Sequence, residues 1–542
     1  MTTTIRNGAL PMTSRTWKVP AVAGAIVLLG ALACTDPTVA PKSTVPGATF
    51  FADQSSYKEF LAKIYGGLAI GGQQGGDGST DIQGIDGGFS QYIRLYWELQ
   101  ELPSDEAVIG WGDLGLQPLN TQTWDAGNLF VRAMYYRVYF QVSMANEFLR
   151  QTVDDSLTAR GVPPALKAQI QTYRAEARFM RALSYWHGID FFGDIPLVTE
   201  ADALGAVAPQ QSTRAAIYAY LVSELNAIKP DLPPTGDPNS YGRATPAAAD
   251  MLLSELYLND SVYTGTANWA GALTAASNVI TSGSFQLASK YRYLFEADND
   301  KNSTEIVFAV PEDGARTQTY GSTNFLVHAQ CGGSMNNNTY GIDGCWWGLR
   351  LKPQADSFYA AGDLRAGYIY TAGQTLGIAD LSNFNNGYAA PKFTNTKSTG
   401  GSGSSSAFVD IDFPMFRLGE AYLIYAEAQL RGGGGSRSTA LTYVNLLRAR
   451  AYGDTVGDST GFAADSQLTL PFLLAERGRE LLWEGHRRTD LVRFGAFTGG
   501  SRLWAWKGNV MAGTSTAPHL NVFPLPATEL IANPNLHQNT GY

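Results

Sequence analysis

The stretch RAEARFMRALSYWHGIDFFGDIPLVTE, residues 174–200, decides the fold. Its apolar residues Phe179, Ala182, Leu183 and Trp186 recur at i, i+3, i+4 and i+7, the period of a helix with one apolar face. Leu61, Ile64, Tyr65 and Leu68 repeat that spacing, as do Ala421, Ile424, Tyr425 and Ala428. Thr245-Pro246 supplies an N-cap followed by proline at the first helical position, opening AAADMLLSELYLND. Further helices are predicted at 127–149, 213–226, 269–281, 438–451 and 471–483. Amphipathic helices of this length cannot bury their faces alone and must stack in pairs. The predicted fold class is therefore mainly α, a helical-pair scaffold with long loop-rich insertions and minor β.

Two scaffold blocks follow, 51–284 and 414–542, separated by a different segment at 285–413. That segment is rich in Gly, Asn and Ser, with a short β-like run at 305–310 and the low-complexity GGSGSSS at 400–406. Together with the glycine-rich 66–88 it is where binding residues are expected, because irregular loops on a rigid frame carry them disproportionately.

Composition narrows the function. Charged residues are 16% of the chain, against about 25% in an average soluble protein. Thirty-nine basic against 48 acidic residues give a net charge of -9 with no Lys or Arg run, which excludes nucleic acid as partner because phosphate neutralisation needs clustered base. No apolar run long enough to span a membrane occurs beyond the N-terminus.

The N-terminus reads as an address. Arg6, Arg15 and Lys18 precede an acid-free apolar stretch at 19–33, the layout of a secretory signal, with Met12 an alternative start. Ala31-Leu32-Ala33-Cys34 ends it and resembles a bacterial lipobox, although the family pattern prefers Leu where Ala31 stands and a small residue where Leu32 stands. Residues 1–33 are thus expected to be a lipoprotein signal peptide, Cys34 the acylated (palmitate-type) first mature residue, and 34–50 a flexible tether rich in Pro and Thr. Two other cysteines, Cys331 and Cys345, are expected to be bonded in an exported protein. Closing that loop contributes about 3 kcal/mol in the chain-entropy account. No nearby His or Cys pair completes a zinc site.

Several blocks together resemble the RagB/SusD family of outer-membrane nutrient-binding lipoproteins: residues 174–200, YGRATPAAADMLLSELYLND at 241–260, FRLGEAYLIYAEA at 416–428, VNLLRARA at 444–451, ERGRELLWEGHRRTDLVRFG at 476–495 and FPLPATELIANPNLHQNTGY at 523–542. The resemblance covers nearly the whole mature chain. It implies a single SusD-like domain over 51–542 with tetratricopeptide-like helix pairs, a lipid anchor at the cell outer membrane, and a SusC-like TonB-dependent transporter as partner. The implied ligand is a glycan, or in some members a peptide. The inserts at 71–88 and 331–347 match no family pattern, so specific ligand contacts do not carry over.

Enzyme readings are weaker. Glu476, Glu480 and Glu484 share a helical face, but Arg477, Arg479, Arg487 and Arg488 interleave with them, the pattern of ion-pair lacing rather than of a catalytic carboxylate pair. No nucleophile elbow, zinc helix or Walker sequence occurs. His187 and His486 fall in helical blocks and are expected to be packed; His328, His519 and His537 lack ligand spacing. No cofactor is expected. A calcium ion is the one candidate, on Asp77, Asp81 and Asp86, whose spacing departs from the EF-hand and equally suits a solvated loop near a transporter mouth.

Binding chemistry remains. A sugar offers apolar C–H faces and a rim of hydroxyls, so its site wants flat rings plus amides or carboxylates. Trp111, Tyr340, Trp346 and Trp347 are the expected stacking platform, with Asn337 and Asp343 as hydroxyl partners. Adjacent Trp346 and Trp347 cannot both face inward from extended chain. Trp124, Trp186, Trp269 and Trp483 are expected to pack. Besides peptide capture, a secreted glycoside hydrolase or lyase and a ligand-free structural surface protein are the alternatives.

Overall fold

The computed structural model describes residues 50–542 except Asp77, Ser79, Leu204, Ala206 and 454–460. The residues expected to form the signal peptide, Cys34 and nearly all of the expected tether lie outside the described residues. The chain divides into a short unit, Met1–Ser56, and a large one, Tyr57–Tyr542. In the short unit Asp53 accepts a hydrogen bond from the Ser55 N–H at 2.9 Å. All that follows concerns the large unit.

The fold is about 48% helix and 7% strand, as the periodicity implies. Successive helices pack as hairpins: Leu129–Gln151 on Pro164–Phe192, Pro164–Phe192 on Arg214–Ile228, and Pro246–Leu258 on Trp269–Thr281. Trp269–Thr281 then meets Leu418–Leu430, which packs on Arg437–Tyr452, so the scaffold crosses directly from its first block to its second. Asn128, Thr213, Thr245, Asn268, Ser436 and Thr469 cap the N-termini of these helices or of Leu470–Leu481 through their side chains. Gly188 permits a close approach to the neighbouring helix and strand: a Cβ there would sit 2.7 Å from Ile195 Cδ1 and 3.3 Å from Val138 Cγ1. Among the described residues no helix is long and apolar enough to cross a membrane.

The central segment is less irregular than its composition suggests. The β-like run forms strand Ile306–Val310, antiparallel to Phe413–Arg417, and this pair zips the two ends of the segment onto the scaffold. A second pair joins Ala107–Ile109 to Leu349–Leu351, with Val108 opposite Arg350. Between them lies helix Ser322–Ala329, buried along its whole length. The two ends of the segment and this helix therefore belong to the core.

Glu476, Glu480 and Glu484 are laced by ion pairs, but deep inside and with partners mostly from other elements. Arg365 reaches Glu476 at 2.8 Å and Glu480 at 2.9 Å; Arg417 reaches Glu480 at 2.8 Å and Glu484 at 2.6 Å; Lys392 reaches Glu484 at 2.7 Å. Burial pushes the Glu484 carboxyl upward, yet Arg417 and Lys392 outweigh it and hold the group at about 2. His187 and His486 are buried, and desolvation depresses them to about 3 and about 4, so both are neutral packing groups.

Candidate functional site

The strand pair at Ala107–Ile109 and Leu349–Leu351 brings two loops distant in sequence side by side. Just beyond the first strand, the Gly110 N–H donates to Gly348 O at 3.0 Å and Trp111 Nε1–H donates to Trp346 O at 2.9 Å. The approach requires glycine at 348, because a Cβ there would lie 2.7 Å from Trp111 Cε2. Residues 346–348 are laid against the end of helix Ser322–Ala329: their N–H groups donate in turn to His328 O, Cys331 O and Ala329 O at 2.9, 2.9 and 2.8 Å. Cys345 is bonded to Cys331, which pins the same turn from the other side.

Three rings meet there. Trp111 and Trp346 have centroids 6.3 Å apart, and Tyr320 stands edge-on to Trp346 at 5.8 Å. All three are partly exposed. Behind Trp346 the His328 imidazole stacks at 4.6 Å, its Nδ1 against Gly344 O at 2.8 Å; burial lowers its pKa, so the uncharged ring backs the indole. Behind Trp111 lie Phe325 at 5.8 Å and the Arg94 guanidinium at 5.4 Å. Arg94 donates to Glu98 at 3.0 Å, to Gly88 O at 2.8 Å and to Tyr320 O at 3.3 Å, tying three segments to one cation. Burial raises Glu98 to about 7 against the pull of Arg94.

The expected platform is thus rearranged. Trp111 and Trp346 come together, while Trp347 faces elsewhere, with its ring 5.9 Å from Phe384. Tyr340 is buried at the end of the short turn Asn337–Tyr340, where its carbonyl accepts the Asn395 N–H at 2.9 Å, and it is not part of the platform. Asn337 is likewise occupied: its Nδ2 donates to Ile342 O at 2.7 Å and closes the turn. Asp343 stays exposed near His328. Tyr320, absent from the expected set, is the third ring; a single tyrosine in TQTYGST carries no local signal of its role.

The glycine-rich loop borders the same place. Gly76 bridges to Thr319, and a Cβ on it would lie 3.5 Å from the Tyr320 ring. Of the calcium candidates, Asp77 lies outside the described residues. Asp81 is paired with Lys63 at 2.7 Å and Arg137 at 3.8 Å, and Asp86 accepts the Gly88 N–H at 2.7 Å. Two cations beside Asp81 make it a poor calcium ligand. Elsewhere, Glu255, Glu420 and His486 present ligand atoms within 4.8 Å of one another, but in the scaffold interior and with Arg477 3.8 Å from Glu255.

Glu312 sits buried at the base of the Tyr320 loop. Burial lifts it from 4.5 to about 8, against the opposing effect of the Ser322 and Thr317 hydroxyls. A raised carboxyl binds a proton in the folded state that the unfolded chain has released, so stability falls as pH climbs from about 4.5 to about 8. Glu312→Gln removes this dependence. The melting temperature of the variant relative to the parent, followed by circular dichroism, should be higher at pH 9 than at pH 5; an identical difference at both would contradict the assignment.

The family model described as the SusD family matches residues 276–542. The starch-binding protein SusD of Bacteroides thetaiotaomicron is 33% identical to this chain, with 96% of this chain and 97% of that protein aligned. The chain belongs to the SusD family. Within it, SusD-like protein P25 of Formosa agariphila is 25% identical over 93% of this chain and 95% of its own length. Among solved structures, surface glycan-binding protein A from Bacteroides thetaiotaomicron in complex with laminarihexaose superposes with a TM-score of 0.67 at 20% identity, covering 89% of this chain and 98% of that one. At that identity the likeness shows a shared fold, the tetratricopeptide-like helix-pair architecture of the SusD superfamily.

Proposed function

We propose that this SusD-family chain is a non-enzymatic cell-surface lipoprotein, anchored to the outer membrane through Cys34, that captures oligosaccharide and passes it to a SusC-like TonB-dependent transporter. One observation carries the reading: Trp111 and Tyr320 flank Trp346 as three partly exposed rings tilted to one another, with His328, Phe325 and Arg94 packed behind Trp346 and Trp111. Rings held at fixed tilt offer curved rather than flat stacking, which suits the C–H faces of successive sugars along a helical or bent chain. Exposed Asp113 and Asp343 stand in the two ring-bearing loops as hydroxyl partners. The names of a starch-binding relative and of a laminarihexaose complex make neutral glucans the first probes. A hydrolytic reading has little support, since Glu476, Glu480 and Glu484 are buried and fully occupied by Arg and Lys.

Titration calorimetry with maltoheptaose, laminarihexaose and a peptide digest tests the proposal. Trp346→Ala and Trp111→Ala should each weaken glucan binding by about 1–3 kcal/mol, the range of an aromatic anchor. Heat from the peptide digest alone would transfer the site to peptide capture, and release of shorter sugars by the pure protein would make it an enzyme. Co-purification with a TonB-dependent barrel from native membranes tests the partner.

A further inference from the structure

We infer that Trp347 forms a second sugar-stacking subsite on the opposite side of the 346–348 backbone, so that long oligosaccharides engage two platforms and short ones only the first. The inference rests on the glycan reading above.

Trp347 is 52% exposed, and among the described residues no other tryptophan lies so open. Burying an indole removes a large apolar area from water, so leaving one half in solvent forgoes stabilisation that the fold's other tryptophans collect. Its backbone is unusual too. Trp347 has φ 57°, in the left-handed region, where a bulky L-residue is strained by about 1–2 kcal/mol. Such strain persists only where the surroundings over-determine it. Here they do: the Trp347 N–H is held by Cys331 O at 2.9 Å, the Gly348 N–H by Ala329 O at 2.8 Å, and Cys345 is bonded to Cys331. The reversed turn sends two consecutive indoles to different places, Trp346 against His328, Trp111 and Tyr320, and Trp347 toward Phe384.

The surroundings of Trp347 have the make-up of a sugar site. Phe384 is a buried floor, 5.9 Å away and tilted 56°, and it is tightly seated, since a Cβ on Gly332 would come within 2.7 Å of its ring. Arg350 lies 5.9 Å from that ring, fully buried, with its N–H donors already given to Gly348 O, Leu381 O and Asn386 O, so it offers no free donor to a ligand. At the rim, exposed Asn385 approaches Gly333, the residue next to Gly332 that also borders Phe384. Ring, rigid floor and amide, without an exposed charged side chain among them, describe a platform for a neutral sugar.

The test measures binding of maltotriose and maltoheptaose, with laminaritriose and laminarihexaose in parallel, to the full chain and three variants. Trp347→Ala should weaken the long member of a bound pair about tenfold and the short member by less than about twofold, as for loss of one aromatic anchor. Trp347→Gly removes ring and left-handed strain together. It should lose the long chain equally while melting at or above Trp347→Ala, which separates lost binding from lost folding. Trp346→Ala should weaken both lengths. Equal losses on both lengths from Trp347→Ala, or no loss on either, overturn the second subsite while leaving the first intact. An unchanged Trp346→Ala overturns the three-ring site instead, and binding to neither ladder overturns both.

Discussion

Arg417→Ala should destabilise the domain by about 3–5 kcal/mol, the range for removing one partner from a buried charge network. Arg417 is 1% exposed and donates to Glu305 at 2.9 Å, Glu480 at 2.8 Å and both Glu484 oxygens at 2.6 and 2.9 Å. Alanine leaves Glu484 with Lys392 alone and Glu480 with Arg365 and Arg450, in an interior where water cannot replace the lost donors. The penalty is pH-dependent with a definite sign. Glu484 is depressed from 4.5 to about 2, so its contribution is complete above about 4.5 and disappears as pH falls through about 2. Urea unfolding followed by far-ultraviolet circular dichroism should therefore show a difference that is full at pH 7 and shrinks between pH 4.5 and 2. A loss below about 1 kcal/mol at pH 7 would mean that the network reorganises around the gap.

Trp97→Ala should be comparably severe, about 3–5 kcal/mol for truncating a fully buried indole. Trp97 is wholly buried, donates its Nε1–H to Trp483 O at 2.9 Å and meets the Trp483 and Phe325 rings edge-on at 5.6 and 5.7 Å. Phe325 in turn supports Trp111 at 5.8 Å and the Arg94 guanidinium at 4.4 Å. The cavity therefore opens directly behind the three-ring site. Glucan binding should weaken in Trp97→Ala although residue 97 touches no ligand, and Trp97→Phe should restore part of both properties. Unaltered affinity in a destabilised Trp97→Ala would show the platform to be held by the strand pair and disulfide alone.

How much of this was legible beforehand follows from the range of each interaction. Helices predicted at 213–226 and 269–281 are realised as Arg214–Ile228 and Trp269–Thr281, because periodicity and N-caps act over a few residues. The Glu476, Glu480 and Glu484 face was legible as ion-paired, but not as buried. Its partners Arg365, Lys392 and Arg417 lie 60 or more residues away in sequence, and spacing along one helix is silent about what folds onto it. The ring platform was half legible. Trp111 and Trp346 stand out by type and loop context, whereas Tyr320 is recruited by its neighbours and Tyr340 is removed from the set by a turn that buries it.

What the chain's sequence determined on its own was the helical-pair frame and the family, since apolar period, caps and ordered motif blocks are properties of contiguous residues. The tertiary structure alone decided which rings meet, which of Trp346 and Trp347 faces which side, and that the acidic helix face lies in the core. Those outcomes depend on residues 107–109 pairing with 349–351 and on the Cys331–Cys345 turn, contacts whose partners are far apart in the chain or whose direction is set by a single left-handed residue.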